Sequence, residues 1–172
     1  MRIGIDFDDT LVDSFKVYQK YFNIWDEKDN FKDIYHMTHN DWNHFFDIYW
    51  DTIYKEVEFF PEVKECLNTL HDMGHTLILL SARYGPCTEY AVNQIKEAKL
   101  PIDEFIFTTT NLKSNAAIEN KIDLVIDDKD SVIEDLKKNH IKCLKKGKSR
   151  KYKHYDTWYD IIEYIKKEAK WE

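Results

Sequence analysis

An α/β fold, three layers deep with a parallel sheet in the middle, is the fold class that three features of the sequence predict. Short apolar runs recur without polar alternation: Ile3-Gly4-Ile5, Leu77 to Leu80, Phe105-Ile106-Phe107, Ile122 to Ile126 and Ile141 to Leu144. Strands that read this way are buried on both faces, which is the situation of a parallel sheet between helices. Segments with apolar residues at helical intervals separate them, and a parallel sheet needs such crossovers. Finally, Asp6, Ser81 and Asp127 stand at the carboxyl ends of three of these runs, the edge at which such sheets bind ligands.

The elements follow in chain order. After the first strand, residues 12 to 24 predict an amphipathic helix, with Val12, Phe15, Tyr18 (or Val17) and Phe22 at helical spacing. Residues 25 to 60 are dense in aromatic and acidic residues, and Trp42, Phe45, Phe46, Tyr49, Trp50 and Ile53 again recur helically, so a small helical insertion is expected. Its rings suit a core of its own, with one or two left to stack on a planar ligand. From Pro61, which suits a helix start, a periodic run reaches Met73, and Gly74 marks its stop before the strand from Thr76 to Leu80. Helices over 87 to 98 and 114 to 120 and from Ser131 alternate with the remaining strands, and Asp156 to Lys170 closes the chain as an amphipathic helix bearing Trp158, Ile161, Ile162 and Ile165. The expected division is a core of residues 1–14 and 61–172 with an insertion of residues 15–60.

Composition narrows the setting. At 172 residues and 43% hydrophobic content the chain can bury a real core as one domain with an insertion. No apolar run is long enough to span a bilayer, and Met1-Arg2 leads straight into a strand pattern, so the expected location is cytoplasmic, with no membrane partner. Cys66, Cys87 and Cys143 are odd in number and lack ligand spacing, which predicts reduced packing residues. A net charge of −7 argues against a nucleic-acid polymer as partner, and an anionic small molecule would need local cations. One basic stretch exists: residues 145–154, KKGKSRKYKH, predict a solvated, mobile loop, with attraction of an anion as its functional alternative. His36, His39 and His44 lie in the insertion at spacings that suggest no metal site.

The carboxylates are more specific. Asp6 and Asp8 follow the first run, and Asp127 and Asp128 follow Leu124-Val125-Ile126. Acids crowded on neighbouring strand ends repel one another and remain ionised together only if a cation compensates, and an all-oxygen set favours Mg²⁺. The stretch IDFDDTLVDS resembles the first motif of the haloacid dehalogenase (HAD)-like hydrolase superfamily, whose fold is a Rossmann-like core with a helical cap inserted after the first strand. LILLSAR resembles the second motif, with Ser81 as the hydroxyl that binds a phosphoryl oxygen and Arg83 adding charge-assisted contacts, and Thr10 keeps the hydroxyl of the first. The third motif is a lysine ahead of the acidic strand, for which Lys113 is the better match and Lys121 the alternative.

This resemblance implies a Mg²⁺-dependent phosphomonoesterase. Asp6 would be the nucleophile, Asp8 the acid and base, and Lys113 a catalytic cation that also binds substrate. Asp6, the Asp8 backbone carbonyl, Asp127 and Asp128 would be the metal ligands. An acid at work near neutral pH is expected to have a raised pKa, so Asp8 is predicted to be raised while the metal keeps Asp6 ionised. A bend of the backbone just after Asp6 would let both carboxylates face one substrate. Asp9 departs from the pattern, standing where Gly is usual. FFPEVKECLNTLHDMGHTLILLSAR and VIDDK resemble small nucleotidases similar to cytosolic pyrimidine 5'(3')-deoxyribonucleotidases, which implies a nucleotide as the small phosphorylated partner. A sugar phosphate or other metabolite is the alternative substrate, and a phospho-ligand sensor without turnover the alternative class.

Overall fold

The computed structural model describes residues 1–29 and 38–168, so His36 lies outside the described residues. Six parallel strands form one sheet: β1 (Arg2–Ile5), β2 (Thr76–Ser81), β3 (Glu104–Phe107), β4 (Leu124–Asp127), β5 (Lys142–Lys146) and β6 (His154–Tyr155). Their spatial order is β3-β2-β1-β4-β5-β6, which places the first strand between β2 and β4.

The apolar runs split by parity, as the two-residue period of a strand requires. Ile3, Ile5, Leu77, Leu79, Leu124 and Ile126 point into one core, and Ile78, Leu80 and Val125 into another on the opposite face. The second core is closed by α5 (Lys113–Glu119) and α6 (Asp130–Lys138), through Ala116, Ala117, Val132 and Leu136. Gly4 faces this side, where an added Cβ would sit 3.2 Å from two carbons of Ile122, so any larger residue would crowd the sheet. The first core is covered by α3 (Val63–Asp72), α4 (Pro86–Glu97) and α7 (Trp158–Glu168), with Trp158 fully buried.

Between β1 and α3 the chain makes two helices, α1 (Ser14–Asp29) and α2 (His39–Glu56). Thr38 and Asp41 start α2 as a capping box, the Thr38 hydroxyl accepting from the Asp41 N–H and the Asp41 carboxylate from the Thr38 N–H. Phe22, Trp25 and Phe45 pack edge to face or tilted between the two helices, which is why helically spaced rings dominate this segment. The chain leaves for the pair at Asp13 and returns at Glu58, where the Asp13 N–H donates to the Glu58 carbonyl at 2.9 Å.

Two expectations change at the other end of the sheet. Lys145 and Lys146 belong to β5 and are buried; they are not part of a solvated loop. The Lys145 ammonium donates to the Lys146 carbonyl at 2.9 Å, and that of Lys146 donates to the Asp156 carbonyl at 2.8 Å and lies over the Phe60 ring. Backbone carbonyls and a ring thus satisfy cations that the sequence pattern assigns to solvent. The short sixth strand, His154 and Tyr155, then begins at the last residue of that basic stretch. Cys66, Cys87 and Cys143 carry no disulfide, and no helix among the described residues is long and apolar enough to cross a membrane.

Candidate active site

The parallel register brings the ends of β1, β2 and β4 side by side, Ile5 pairing with Leu79 and with Ile126. Asp6 continues β1 by one ladder bond, its N–H donating to the Ile126 carbonyl at 3.0 Å, and then the chain turns. The Leu11 and Val12 N–H groups both donate back to the Phe7 carbonyl, and Asp9 sits at φ +57°, in the left-handed region. That conformation explains a glycine preference at this position, and Asp is among the few other residues that adopt it readily. The Asp9 carboxylate accepts from the Phe15 N–H at 2.7 Å, at the first turn of α1, a contact that glycine would lack. The turn brings Asp6 and Asp8 to one cleft.

Four predicted residues meet behind the turn. Lys113, at the start of α5 and 2% exposed, donates to Asp6 Oδ1 at 2.7 Å and to Asp127 Oδ2 at 2.6 Å. Oxygens of Asp6, Asp127 and Asp128 lie within 4.8 Å of one another. Burial pushes the Asp6 carboxyl up to about 6 against the opposing charge of Lys113, with Asp127 and Asp8 adding to the rise. Asp128 is pushed up to about 9 by burial and by the charges of Asp6, Asp127 and Asp9. Lys113 is itself raised, its two acidic partners outweighing the burial that opposes them. Lys121 does not come to the site: it is exposed at φ +52°, where the chain leaves α5.

Asp8 has a different environment. Arg83 Nε donates to its Oδ2 at 2.9 Å and Nη2 to its Oδ1 at 2.7 Å, and the Ser14 hydroxyl donates to Oδ1 as well. Burial alone would raise Asp8, but these donors and the guanidinium charge hold it below the usual carboxylate range. The expectation of a raised Asp8 is therefore corrected: the arginine assigned by pattern to a phosphoryl group lies on the acid instead. Arg83 Nη1 remains buried without a hydrogen-bond partner among the described residues. Ser81 is fully buried and accepts from the Arg83 N–H at 3.2 Å, while Thr10 is fully buried with its hydroxyl unpartnered and its carbonyl accepting from Trp158 Nε1.

A cleft of about 580 Å³ opens over Asp6, Asp8 and Asp9. One wall is Tyr18, Trp42, Phe46 and Tyr54 from α1 and α2, and the other carries Arg83, Tyr84, Thr110 and Lys129. His39 and His44 are exposed and lie outside it. Ser14, Phe7, Tyr54 and Lys129 are the site residues that sequence reasoning misses. Phe7 and Ser14 lie within the stretch IDFDDTLVDS and Lys129 within VIDDK, but nothing in those stretches assigns them a role, and Tyr54 lies in no motif at all.

No protein-family model matches the chain, and no curated protein sequence matches it. Solved structures do. A HAD-superfamily hydrolase from Ehrlichia chaffeensis is 16% identical with a TM-score of 0.60, the match covering 96% of each chain. A predicted phosphoglycolate phosphatase from Haemophilus somnus is 13% identical at a TM-score of 0.69, over 95% of this chain and 97% of that one. A haloacid dehalogenase-like family hydrolase from Xanthomonas campestris is 10% identical at 0.70, over 97% and 95%. At these identities the likeness is one of fold: the chain has the α/β, Rossmann-like fold of HAD-superfamily hydrolases.

Proposed function

We propose that this chain is a Mg²⁺-dependent phosphomonoesterase acting through an aspartyl-phosphate on Asp6, with nucleoside monophosphates as its substrate class. The observation that carries the reading is the meeting of Asp6, Asp127, Asp128 and Lys113 at one sheet edge, with Asp8 across a shared cleft. Residues 15–60 act as the cap of a core formed by 1–14 and 61–172, and the expected setting is the cytoplasm.

The acidic set fits a divalent metal. It is all oxygen, Asp128 Oδ1 is buried without a hydrogen-bond partner among the described residues, and the Asp128 carboxyl is driven to about 9 by burial and by the charges of Asp6, Asp127 and Asp9. Asp6, Asp127, Asp128 and the Asp8 carbonyl would hold Mg²⁺, which supplies charge neutralisation for a phosphoryl group. The chain's own residues do the rest. Asp6 attacks phosphorus as the bond to the leaving oxygen breaks, and Asp8, ionised beside Arg83 in the free chain, has to take up a proton with the bound phosphate ester before it can give that oxygen one. In the second half, water attacks the phosphoryl group, its proton passes to Asp8, and the Asp6–phosphorus bond breaks to regenerate the carboxylate. Lys113 holds Asp6 in place and offsets the negative charge, and the hydroxyls of Ser81 and Thr10 would donate to phosphoryl oxygens.

The aromatic wall favours a nucleotide. Tyr18, Trp42 and Phe46 line the cleft that holds Asp6 and Asp8, and stacking of a base on an aromatic side chain is worth about 1–3 kcal/mol. The test is phosphate release from nucleoside monophosphates, deoxynucleotides and sugar phosphates, with Mg²⁺ or with chelator. Mg²⁺-dependent turnover concentrated on nucleotides supports the whole reading. Turnover concentrated on sugar phosphates would keep the chemistry and overturn the substrate, and no turnover would make the cleft a sensor of phosphorylated ligands.

A further inference from the structure

Asp8 can take part in proton transfer only through an oxygen that still has room for a proton. An ionised carboxylate offers about four acceptor positions, two on each oxygen. Oδ1 already receives Arg83 Nη2 and the Ser14 hydroxyl, while among the described residues Oδ2 receives only Arg83 Nε. One position on Oδ2 is left, and Asp8 borders the cleft. The fork that makes this selection is itself held. The Arg83 side chain is 1% exposed, its guanidinium carbon lies 4.4 Å from the Phe7 ring centroid and 3.9 Å from that of Tyr54, and Tyr54 belongs to α2. Tyr54 is anchored in turn, accepting at its hydroxyl from Tyr18 at 3.2 Å and at its carbonyl from Gln94 of α4 at 2.9 Å.

We propose that Arg83 is the positioning residue of the acid and base Asp8, fixing Oδ2 as the oxygen that exchanges the proton, and that Tyr54 of the inserted helix pair completes the clamp. The proposal rests on the phosphomonoesterase reading. It assigns to Arg83 a role through Asp8, in place of a direct grip on the phosphoryl group. A planar fork with two parallel N–H groups is needed for this, and a lysine, being a single point of charge, cannot reproduce it. The insertion thus contributes to the chemistry as well as to the cleft wall, because removing the Tyr54 ring frees the guanidinium to turn.

The dependence of kcat/KM on the leaving group separates a positioning role from a structural one. Protonation by Asp8 matters for a poor alkoxide leaving group and little for p-nitrophenolate, so the two should respond differently. For Arg83→Lys, with folding checked by circular dichroism, the expected loss is roughly a hundredfold on a nucleoside monophosphate and under about tenfold on p-nitrophenyl phosphate, since general acid catalysis contributes 10²–10⁴-fold. Tyr54→Leu should repeat the selective loss on a smaller scale, and it tests the clamp if Arg83→Lys does not fold. Equal losses on both substrates, or a KM rise with kcat unchanged, would overturn the proposal and return Arg83 to substrate binding or packing. Wild-type protein inactive on both esters would instead overturn the phosphomonoesterase reading, and this proposal with it.

Discussion

Lys113 lies within hydrogen-bonding reach of Asp6 and Asp127 at once, whereas Arg83 directs the two nitrogens it uses to Asp8 alone. Around Lys113 stand three carboxylates, Asp6, Asp127 and Asp128, and a single ammonium leaves a negative excess that suits a divalent ion. Around Arg83 the account closes: one guanidinium, one carboxylate, and aromatic rings on either side. The difference teaches that one edge of a sheet can hold two acids in opposite states. Burial, helped by the neighbouring carboxylates, raises Asp6 and Asp128, and the Arg83 and Ser14 donors lower Asp8 against its burial.

The largest break would come at Asp6, the proposed nucleophile. Asp6→Asn should lower phosphate release on the order of a thousandfold or more, because a carboxamide does not form the acyl phosphate. Turnover close to wild type in that variant would remove Asp6 from the chemistry and the comparison with it. Next, Lys113→Ala should lower stability by about 3 kcal/mol or more in chelator, since it strands two buried carboxylates, while exposed Lys121→Ala stays within about 0.5 kcal/mol. Thermal melts of the two variants compare them directly, and equal midpoints would show that the cluster does not depend on Lys113.

Titration sharpens the contrast, for the two acids have opposite signs. Asp128 moves from 3.8 to about 9, so the folded chain keeps a proton that the unfolded chain has lost, and stability falls as pH rises from about 4 to about 9. Asp6, pushed up to about 6, adds to the same fall at its lower end. The depressed Asp8 does the reverse: its contribution is present above the ordinary carboxylate pKa and is lost as pH falls through its folded value. In chelator the melting temperature should therefore drop from mildly acidic to alkaline pH, Mg²⁺ should restore it most at the alkaline end, and Asp128→Asn should flatten the slope. A wild-type slope unchanged by that substitution would mean that Asp128 is not the group responsible. The smallest effect is expected at Asp9→Asn, which keeps an acceptor for the Phe15 N–H and removes a charge raised to about 6 by burial. A gain within about 1 kcal/mol at pH above 7 is expected, and a loss of that size would show that the charge on Asp9 helps to hold the turn.

Much of the fold was legible because its strands are buried on both faces. Leu77 to Leu80 and Leu124 to Ile126 carry apolar side chains toward both cores, and a run without alternation announces that directly. The strand ends were legible for the same reason, since a carboxylate or hydroxyl that stops an apolar run stands out. The clamp on Asp8 was not. Ser14, Tyr54 and Arg83 come from three separate stretches, and no local spacing links a tyrosine of the insertion to an arginine after β2. Taken alone, Arg83 suggests a phosphate ligand, and the expectation of a raised Asp8 follows from its role as an acid, since no local pattern shows the arginine beside it. Lys145 and Lys146 were misread because a buried lysine held by backbone carbonyls has the same sequence signature as a solvated one.

The order of the strands bears on how the protein is made. β1 leaves the ribosome before the other five strands of this sheet, yet its neighbours are residues 76–81 on one side and 124–127 on the other. Until the later partner has been synthesised, one edge of β1 has no strand to pair with, and Asp6 lacks the Ile126 carbonyl that continues its ladder. Domains generally fold as units during synthesis, and pairings between distant segments are the slow ones. A nascent chain that stops short of β4 thus carries Asp6 without the strand that frames it, and the acidic cluster comes into being only when β4 has emerged.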